Sequence, residues 1–425
     1  MRPSACSVDP PEWHQPHDNV ICVKLRNVTP IFGGGYAARE VDPECLIRPA
    51  AIRGQLRFWW RATAGAQFET PEQLFKEEEA IWGSARKRGA VSVSTRVLTR
   101  AADAQSVRID NCRDIPNYVR AIIIQERASS DAHRDALYPR VYLNIEFAVT
   151  ISAESAMAMS EATRALNAFV LYGGIGGRTR RGFGCLEASC ELPAETTYAA
   201  GEPAGQLSPP VGFPSLVGAR LYVGPPADAI QSWATAVAML KRFRGAVAPG
   251  SRDERPRSGK LSHSPWPEAD AIRILRGIKQ VNGSGGSSDG ALSFPRAQLG
   301  LPFKLQSLRD HTGSFGKADV KLRSDGKLAD RLASPVVVRP IMISGSWRPA
   351  VLIFNCSPIP DDRLAVDISS DKFITASCSG WPASLYKDGT EVAFNHGCHN
   401  TLDALAAFMM LPGAGWQEQR IDVIK

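Results

Sequence analysis

Long hydrophobic runs are missing from this sequence of 425 residues. No stretch of about eighteen apolar residues occurs, which argues against a transmembrane helix. The start of the chain, M-R-P-S-A-C-S-V-D-P-P-E-W-H, lacks the apolar core of a signal peptide. The nine cysteines are odd in number and scattered, without a C-x-x-C pair, and we interpret them as reduced thiols. These absences predict a cytoplasmic protein with no membrane partner.

Several motifs of common enzyme classes are also missing. No G-x-x-x-x-G-K-[ST] phosphate loop occurs, and the dinucleotide pattern that starts at Gly174 fails at its sixth position, Thr179. There is no H-E-x-x-H zinc motif. His396, Cys398 and His399 form an H-G-C-H group, but no second cluster stands at zinc-finger spacing, so we expect a surface turn there. The sequence therefore gives no support to these enzyme classes, and we expect no metal ion and no cofactor.

Composition and charge point to a folded protein with an acidic partner. Hydrophobic residues make up 44% of the chain and charged residues 22%, as in ordinary proteins with sizeable cores. The length favours two or three domains. The formal net charge is +7 and the pI about 9.0, which favours nucleic acid as the partner.

The stretch 52–63, I-R-G-Q-L-R-F-W-W-R-A-T, predicts an amphipathic helix with two stripes. One stripe is mostly apolar, and the other consists of Arg53, Arg57 and Arg61, spaced four residues apart. Guanidinium groups so close together repel one another and match the planar geometry of phosphate. The alternative is a solvated face whose arginines pair with acidic residues elsewhere in the fold.

A second basic signal is the loop 173–184, G-G-I-G-G-R-T-R-R-G-F-G. Its glycines let backbone amides approach a ligand closely, and Arg178, Arg180 and Arg181 add positive charge at the same place. The functional interpretation is a cradle for RNA phosphates. The alternative is a tight glycine-rich connection with solvated arginines.

Hydrophobic patterning predicts two α+β halves. Strands are expected at 20–28, 91–98, 119–124, 141–151 and 185–192, and helices at 52–63, 72–82 and 155–172. The order of the main elements is that of a split βαβ, ferredoxin-like unit. Residues 193–214, rich in Pro, Gly and Ala, read as a linker. A second half follows, with strands at 219–223, 336–344 and 350–354 and helices at 227–243, 267–279 and 401–410.

Three stretches together resemble the RAMP superfamily of CRISPR proteins. They are T-P-I-F-G-G-G-Y at 29–36, the arginine helix at 52–63 and the loop at 173–184. Within the superfamily they resemble the family of the first Cmr subunit of type III-B effector complexes. H-S-P-W-P-E-A-D-A-I-R at 263–273, F-P-R-A-Q-L-G-L-P at 294–302 and R-L-A-S-P-V-V-V-R-P at 331–340 fit the same family.

The resemblance implies two tandem ferredoxin-like, RRM-like RAMP domains with loop insertions, at 1–192 and 215–425. It implies a non-catalytic subunit that holds the 3′ region of the CRISPR guide RNA, helps engage single-stranded target RNA in antiviral defence, and contacts other Cmr subunits. By motif match, RNA would be bound in a cleft where helix residues lie beside loop residues. These are Arg53, Gln55, Arg57, Trp60 and Arg61 on the helix, and Gly176, Gly177, Arg178, Arg180 and Arg181 in the loop.

Two further candidate RNA-binding residues, His263 and Trp266, have alternatives. Trp266 could stack on an unpaired base or fill the core beneath a loop. His263 could act as a general base on a ribose 2′-hydroxyl, which would make the chain a metal-independent RAMP endoribonuclease that trims guide RNA. Cleavage of labelled RNA with chelator present, lost in His263→Ala, would favour that enzyme. A third alternative is a scaffold whose basic surfaces dock sister subunits.

The arginine stripe and the glycine-rich loop lead to one testable prediction. Combining Arg57→Glu with Arg178→Glu is expected to weaken RNA binding uniformly across sequences, without unfolding the protein, because phosphate contacts carry no sequence information. Binding of several unrelated RNAs, with the fold checked by circular dichroism, measures this effect.

Overall fold

The computed structural model describes most of both predicted halves. The described residues are 19–35, 39–42, 44–99, 104–125, 139–189, 192, 213–245, 266, 268–275, 293–301, 303–305, 309–310, 313–314, 318–324, 327–329, 331–357, 359, 363–369, 372–376, 398, 400–411, 413–419 and 421. Among these residues, no helix combines the length and the apolar character that crossing a bilayer requires.

Helices and strands alternate along the chain. The helices are α1 Pro49–Thr63, α2 Pro71–Trp82, α3 Asn117–Gln125, α4 Ala156–Tyr172, α5 Ala229–Gly245, α6 Glu268–Leu275 and α7 Thr401–Met409. The strands are β1 Asn19–Asn27, β2 Ile31–Phe32, β3 Val91–Val97, β4 Gln105–Arg108, β5 Arg140–Leu143, β6 Glu146–Ala153, β7 Leu186–Ala188, β8 Ser215–Val223, β9 Phe303–Leu305, β10 Arg309–Asp310, β11 Gly313–Ser314, β12 Ala318–Ser324, β13 Lys327–Ala329, β14 Val336–Ile343, β15 Ser346–Asn355, β16 Leu364–Ser369, β17 Lys372–Ala376 and β18 Gln417–Gln419.

The first half is built on an antiparallel sheet with the order β3-β6-β1-β7. Helix α1 follows β1 and α4 follows β6, so the main elements run strand, helix, strand, strand, helix, strand. Val23 and Leu25 on β1 are buried, while the residues between and beside them are exposed. This alternation indicates one covered sheet face and one open face. Order and connectivity are those of a ferredoxin-like unit, as predicted.

The second half repeats the arrangement with the sheet order β14-β15-β8-β18. Helix α5 follows β8 and α7 precedes β18, so the main elements again follow the ferredoxin-like order. A two-residue turn, Ser344-Gly345, joins β14 to β15, and both residues have positive φ, 48° and 73°. That geometry matches the right-handed twist of a hairpin. The predicted fold class, tandem ferredoxin-like domains with insertions, is therefore confirmed.

Two insertions of the second half pair with each other. Strand β12 lies between α5 and β14, and β16 lies between β15 and α7, yet they are hydrogen-bonded neighbours with Val320 opposite Val366. Strands β9, β13 and β17 complete this sheet. In the first half, β4 and β5 pair with each other and β5 pairs with β2.

Two strand predictions for the first half were wrong. The apolar run 119–124 lies in helix α3, where Val119 and Ile123, four residues apart, are both buried. A short apolar run does not by itself distinguish a buried strand from a helix. The strand predicted at 141–151 is split into β5 and β6 at Asn144, which has a φ of 54°. Asn tolerates this left-handed conformation better than most residues, so the chain can change direction there.

The limits of the predicted domains at 192 and 215 stay a prediction. Most of the predicted linker, 193–212, lies outside the described residues. The same is true of the Ser- and Gly-rich stretch 282–290. The two sheets nevertheless share a hydrophobic core. Trp59 and Phe169 of the first half belong to the same buried cluster as Leu221, Val337 and Phe354 of the second.

A buried arginine joins the halves at the end of α4. Arg339, on β14, is 2% exposed. Its guanidinium donates to the carbonyl of Gly173 and, over 3.2 Å, to that of Val170. Carbonyls at a helix C-terminus lack partners within the helix and carry partial negative charge. Burial lowers the pKa of Arg339, and the helix end therefore supplies the compensation that this desolvated charge requires.

Two glycines with positive φ offer a matched test of loop packing. Gly184 has a φ of 61°, and a Cβ there would collide with the carbonyl oxygen of Ile175, whereas a Cβ on Gly345 would meet nothing within 4 Å. We expect Gly345→Ala to lower the free energy of unfolding by about 1–2 kcal/mol, the cost of the left-handed conformation alone. Gly184→Ala should lower it by roughly 2 kcal/mol more, because of the clash. Urea unfolding measures both, and equal losses would contradict the packing of this loop.

Candidate nucleic-acid interface

Helix α1 is the centre of the candidate interface. It begins with Pro49, which suits the first helical position because its missing N–H would have no partner there. Ile52 and Leu56 face the core. The Arg48 guanidinium, just before the helix, donates to the carbonyl of Gly34. This hydrogen bond holds the stretch 29–36 against the start of α1. The contact places the stretch 29–36 and helix α1 side by side.

Arg57 and Arg61 share one buried carboxylate. Arg57 Nε and Arg61 Nη1 each lie 2.6 Å from Glu78 Oε1 on α2. The Glu78 side chain is 5% exposed, and each arginine side chain is 25% exposed. Both arginines therefore have an acidic partner in the fold, as the alternative interpretation expects, and their contact with RNA stays a prediction. They still retain an exposed part.

The other α1 candidates differ in accessibility. Trp60 is 1% exposed, and its indole N–H donates to Glu161 over 2.8 Å. It is a core residue that cannot stack on a base without leaving its pocket, so its predicted RNA contact is corrected. Arg53 is exposed and Gln55 half-buried. Arg53 forms no ion pair within the part of the chain that the structure describes.

The glycine loop serves packing between loops. The Gly177 amide donates to the carbonyl of Phe32 over 2.5 Å. A Cβ on Gly176 would lie 2.7 Å from that same carbonyl oxygen, and one on Gly34 would lie 2.9 Å from Gly176 Cα. Only glycines allow the two loops to approach so closely. Gly176 remains exposed and Gly177 half-buried, so the outer edge of this contact stays open to solvent.

Arg180 makes specific contacts with the second half. Its guanidinium donates to the carbonyl of Ser334 and lies over the rings of Phe58 and Phe354, 5.4 and 5.9 Å from their centroids. Burial lowers its pKa. The guanidinium is therefore largely withdrawn from solvent by packing between α1 and β15.

Arg181 and Arg178 complete the loop. Burial, followed by the nearby Arg244, lowers the pKa of Arg181 to about 9. Its guanidinium lies 3.4 Å from the Val336 carbonyl oxygen, and its own carbonyl accepts from the indole of Trp233 over 2.7 Å. Arg178, which is half-buried, has a left-handed φ of 57°. Arg180 and Arg181 thus join the halves, and Arg178 lies at the bend before them.

Trp266 is a core residue, in agreement with the alternative interpretation. It is 1% exposed, packs edge-on against Phe243 at 5.5 Å, and has the Arg296 guanidinium 5.3 Å from its ring centroid. Its predicted stacking on a base is corrected, because the ring is already covered. His263 lies outside the described residues, as do His396 and His399.

Helical geometry shows how the predicted sites are arranged around α1. At about 100° per residue, Arg53 and Gln55 lie on opposite flanks of the exposed face, with Gly54 between them. The arginine flank continues to Arg57 and Arg61, which face α2. The other flank carries Phe58, which Arg180 covers. Arg180 of the loop thus approaches α1 on the Phe58 side, and Arg57 and Arg61 lie on the side of α2. A common RNA-binding cleft stays a prediction.

Within the described part of the chain, no group of three or more His, Cys, Asp or Glu side chains is placed to hold a metal ion. The available chemistry is that of exposed and half-exposed guanidinium groups beside accessible backbone. Such groups bind phosphate and do not transfer protons, because an arginine side chain stays protonated.

The sequence analysis did not identify two features of the candidate interface, although each has a recognisable pattern in the sequence. Glu78 lies within the acidic run 77–79 of a helix, which is where a partner for a basic stripe can be sought. The turn S-A-R-K-R-G at 84–89 places three consecutive basic residues between Gly83 and Gly89. This turn lines a groove together with Arg53.

Comparison with known proteins agrees with these observations. Residues 24–187 match the model of the RAMP superfamily. The CRISPR system Cmr subunit Cmr1-2 of Pyrococcus furiosus is 27% identical over 175 residues, which are 38% of this chain and 91% of that protein. Cmr1-1 of the same organism is 28% identical over 144 residues, 33% of this chain and 40% of that protein. The resemblance inferred from the motifs is thereby confirmed.

Solved structures similar to this chain include that of a Cmr1 protein. The crystal structure of Cmr1 from Pyrococcus furiosus in its apo form has 17% sequence identity to this chain and a TM-score of 0.47, over 81% of this chain and 90% of that one.

The pairing with Glu78 adds a cost in stability to Arg57→Glu that the sequence did not predict. The new carboxylate would face the largely buried Glu78. We expect Arg57→Glu to lower the free energy of unfolding by about 2–3 kcal/mol, because it replaces an attraction by a repulsion at a poorly hydrated site. Arg53→Glu, one turn earlier and exposed, should change it by less than about 0.5 kcal/mol. Urea unfolding compares the two, and equal stability would show that the Glu78 pairing contributes nothing.

Proposed function

We propose that this chain, whose residues 24–187 match the RAMP superfamily, is a non-catalytic RNA-binding subunit of a type III-B CRISPR (Cmr) effector complex. It holds the 3′ region of the guide RNA and helps engage single-stranded target RNA. The names of the Pyrococcus furiosus relatives support assembly with other Cmr subunits. The exposed face of α1 carries the RNA-binding part of the proposal.

The assignment rests on the presence of an exposed glycine, Gly54, inside helix α1. It lies in the middle of α1, is exposed, and a Cβ there would meet nothing within 4 Å. Glycine inside a helix destabilises it by about 0.5–1 kcal/mol relative to alanine. No neighbour within the described structure requires this glycine. Close approach of an outside backbone does require it, and a sugar-phosphate chain lying across the helix is such a backbone.

The charges around Gly54 fit an anionic chain. Arg53 is exposed on one side, and Arg57 and Arg61 share the single carboxylate of Glu78. These four side chains together therefore carry a net positive charge. The glycine loop approaches the other flank, where Arg180 covers Phe58, and Gly176 in this loop is exposed. A backbone that crosses α1 at Gly54 would meet cations on one side and accessible peptide groups on the other. Both are common phosphate-contacting groups in protein–nucleic acid interfaces.

This arrangement favours binding without base recognition. Neither Trp266, the candidate for stacking on a base, nor Trp60 presents its ring to solvent, since both are buried. For the endoribonuclease alternative no described residue supplies a specific observation. We therefore propose that sequence is read by base pairing between guide and target, and that this chain positions the backbone.

Binding of single-stranded RNA to the intact chain, followed by anisotropy across a salt series, tests this function. We expect the logarithm of affinity to fall linearly with the logarithm of salt, by about 0.7 per phosphate contacted, with weaker binding to duplex DNA of equal length. Gly54→Gln should weaken RNA binding about tenfold or more while leaving stability equal or slightly higher, because glutamine favours helices and blocks the approach.

Ala156→Gln, on the exposed first turn of α4, is the matched control for added bulk. It should bind RNA as the unaltered chain does. RNA affinity unchanged by Gly54→Gln would exclude the face of α1 as the contact surface. Failure of the unaltered chain to bind any RNA would overturn the proposed function.

A further inference from the structure

A basic groove lies beside the start of α1. Its volume is about 540 Å³. We call it the basic groove, and it is lined by the start of α1 (Pro49, Ala50, Arg53), by the residues from Trp82 to Gly89, and by the first residues of β3 (Val91, Ser92, Val93). Arg53 alone among its lining residues belongs to the predicted RNA-binding set.

The charges of the basic groove all have one sign. Arg53, Arg86, Lys87 and Arg88 line it, and no aspartate or glutamate does. All four side chains are exposed, and none forms an ion pair within the described residues. Like charges gathered around one space repel one another. An anionic group in that space would convert the repulsion into attraction.

The basic turn is held in place before any ligand arrives. The Ser84 hydroxyl accepts from the amides of Arg86 and Lys87, at 3.0 and 3.2 Å, and the Ser84 amide donates to the Lys87 carbonyl over 2.8 Å. Gly83, with a φ of 75°, and Gly89 pack backbone against backbone, since a Cβ on Gly83 would lie 2.7 Å from the Gly89 amide. These contacts fix the backbone from which the three cations project, which reduces the entropy lost on binding.

The start of α1 adds a partial positive charge. Its first turn contains no acidic residue, and Arg48 at the N-cap makes no side-chain hydrogen bond to it. Pro49 and Ala50, from that turn, line the basic groove. The positive end of the helix dipole therefore faces the same space as the four cations, and such helix ends stabilise phosphate groups.

We propose that the basic groove binds a phosphate group of single-stranded RNA, as a second contact beyond the face of α1. This inference rests on the proposed function. Arg53 belongs both to the basic groove and to the arginine flank of α1, so a backbone crossing at Gly54 can continue into the groove without a break. That continuity favours RNA, because one sugar-phosphate chain can contact the face of α1 and the groove together.

Removing the turn cations tests the contact. The triple variant Arg86→Ala, Lys87→Ala and Arg88→Ala leaves Ser84 and both glycines in place, so the turn keeps its hydrogen bonds. We expect the salt dependence of single-stranded RNA binding to lose about 0.7–1.4 from its slope, the value for one or two phosphates. The matched control is Lys76→Ala, Arg113→Ala and Arg363→Ala, which removes the same charge at other exposed positions. Its slope should equal that of the unaltered chain.

Protection of Lys87 from acetylation gives a second readout. With RNA at about ten times the dissociation constant, an amine-reactive acetyl donor should modify Lys87 roughly tenfold more slowly, whereas exposed Lys76 on α2 is unaffected. Adenosine monophosphate and a poly-glutamate peptide are the comparison ligands. Protection by adenosine monophosphate as strong as that by RNA would reassign the groove to a small phosphorylated ligand, and protection by poly-glutamate alone would reassign it to an acidic peptide.

The outcomes separate this inference from the proposed function. An unchanged slope in the turn variant, together with normal RNA affinity and no protection of Lys87, overturns the groove while the face of α1 stands. Loss of binding in Gly54→Gln with the slope change present in the turn variant would support the groove and the function together. Absence of RNA binding by the unaltered chain overturns both.

Discussion

The contact between the Arg339 guanidinium and the end of α4 is the constraint on which the relation of the two halves depends. A charged group inside a protein is strongly destabilising unless it is paired or hydrogen-bonded. Here the compensation comes from the carbonyls of Gly173 and Val170, which the helix leaves without partners. The second sheet therefore satisfies the end of a helix in the first half, and the start of the glycine loop is fixed by the same contact.

Arginine has two different roles in this molecule. Arg180, Arg181 and Arg339 are bound to backbone carbonyls between the halves, and burial lowers the pKa of each. Arg53 and the cations of the 84–89 turn remain exposed. Sequence composition does not separate these roles, because a guanidinium suits a carbonyl as well as a phosphate. The role of each arginine depends on whether the fold places backbone carbonyl groups within hydrogen-bonding distance of its guanidinium.

Much of the fold could be predicted from local signals. The apolar stripe of α1, the glycines that end α4 and the Pro/Gly-rich segment before β8 are encoded within short windows. Val119 to Ile123 was misassigned because a short apolar run fits a helix and a strand equally well. The pairing of Arg57 and Arg61 with Glu78 could not be predicted in detail, since it depends on how α2 packs against α1. The same holds for Trp60 and Trp266, whose burial is decided by tertiary contacts.

The pairing of β12 with β16 has a consequence for how the chain folds during synthesis. Strand β12 is complete at Ser324, but its partner ends at Ser369, and the whole β14–β15 hairpin is made between them. A strand edge left without its neighbour for that interval exposes unpaired backbone groups and is prone to wrong association. The hairpin, closed by a two-residue turn, can form early because its contacts are local. Assembly of this sheet is therefore a late event on the ribosome, and a pause in translation before β16 prolongs the exposed state.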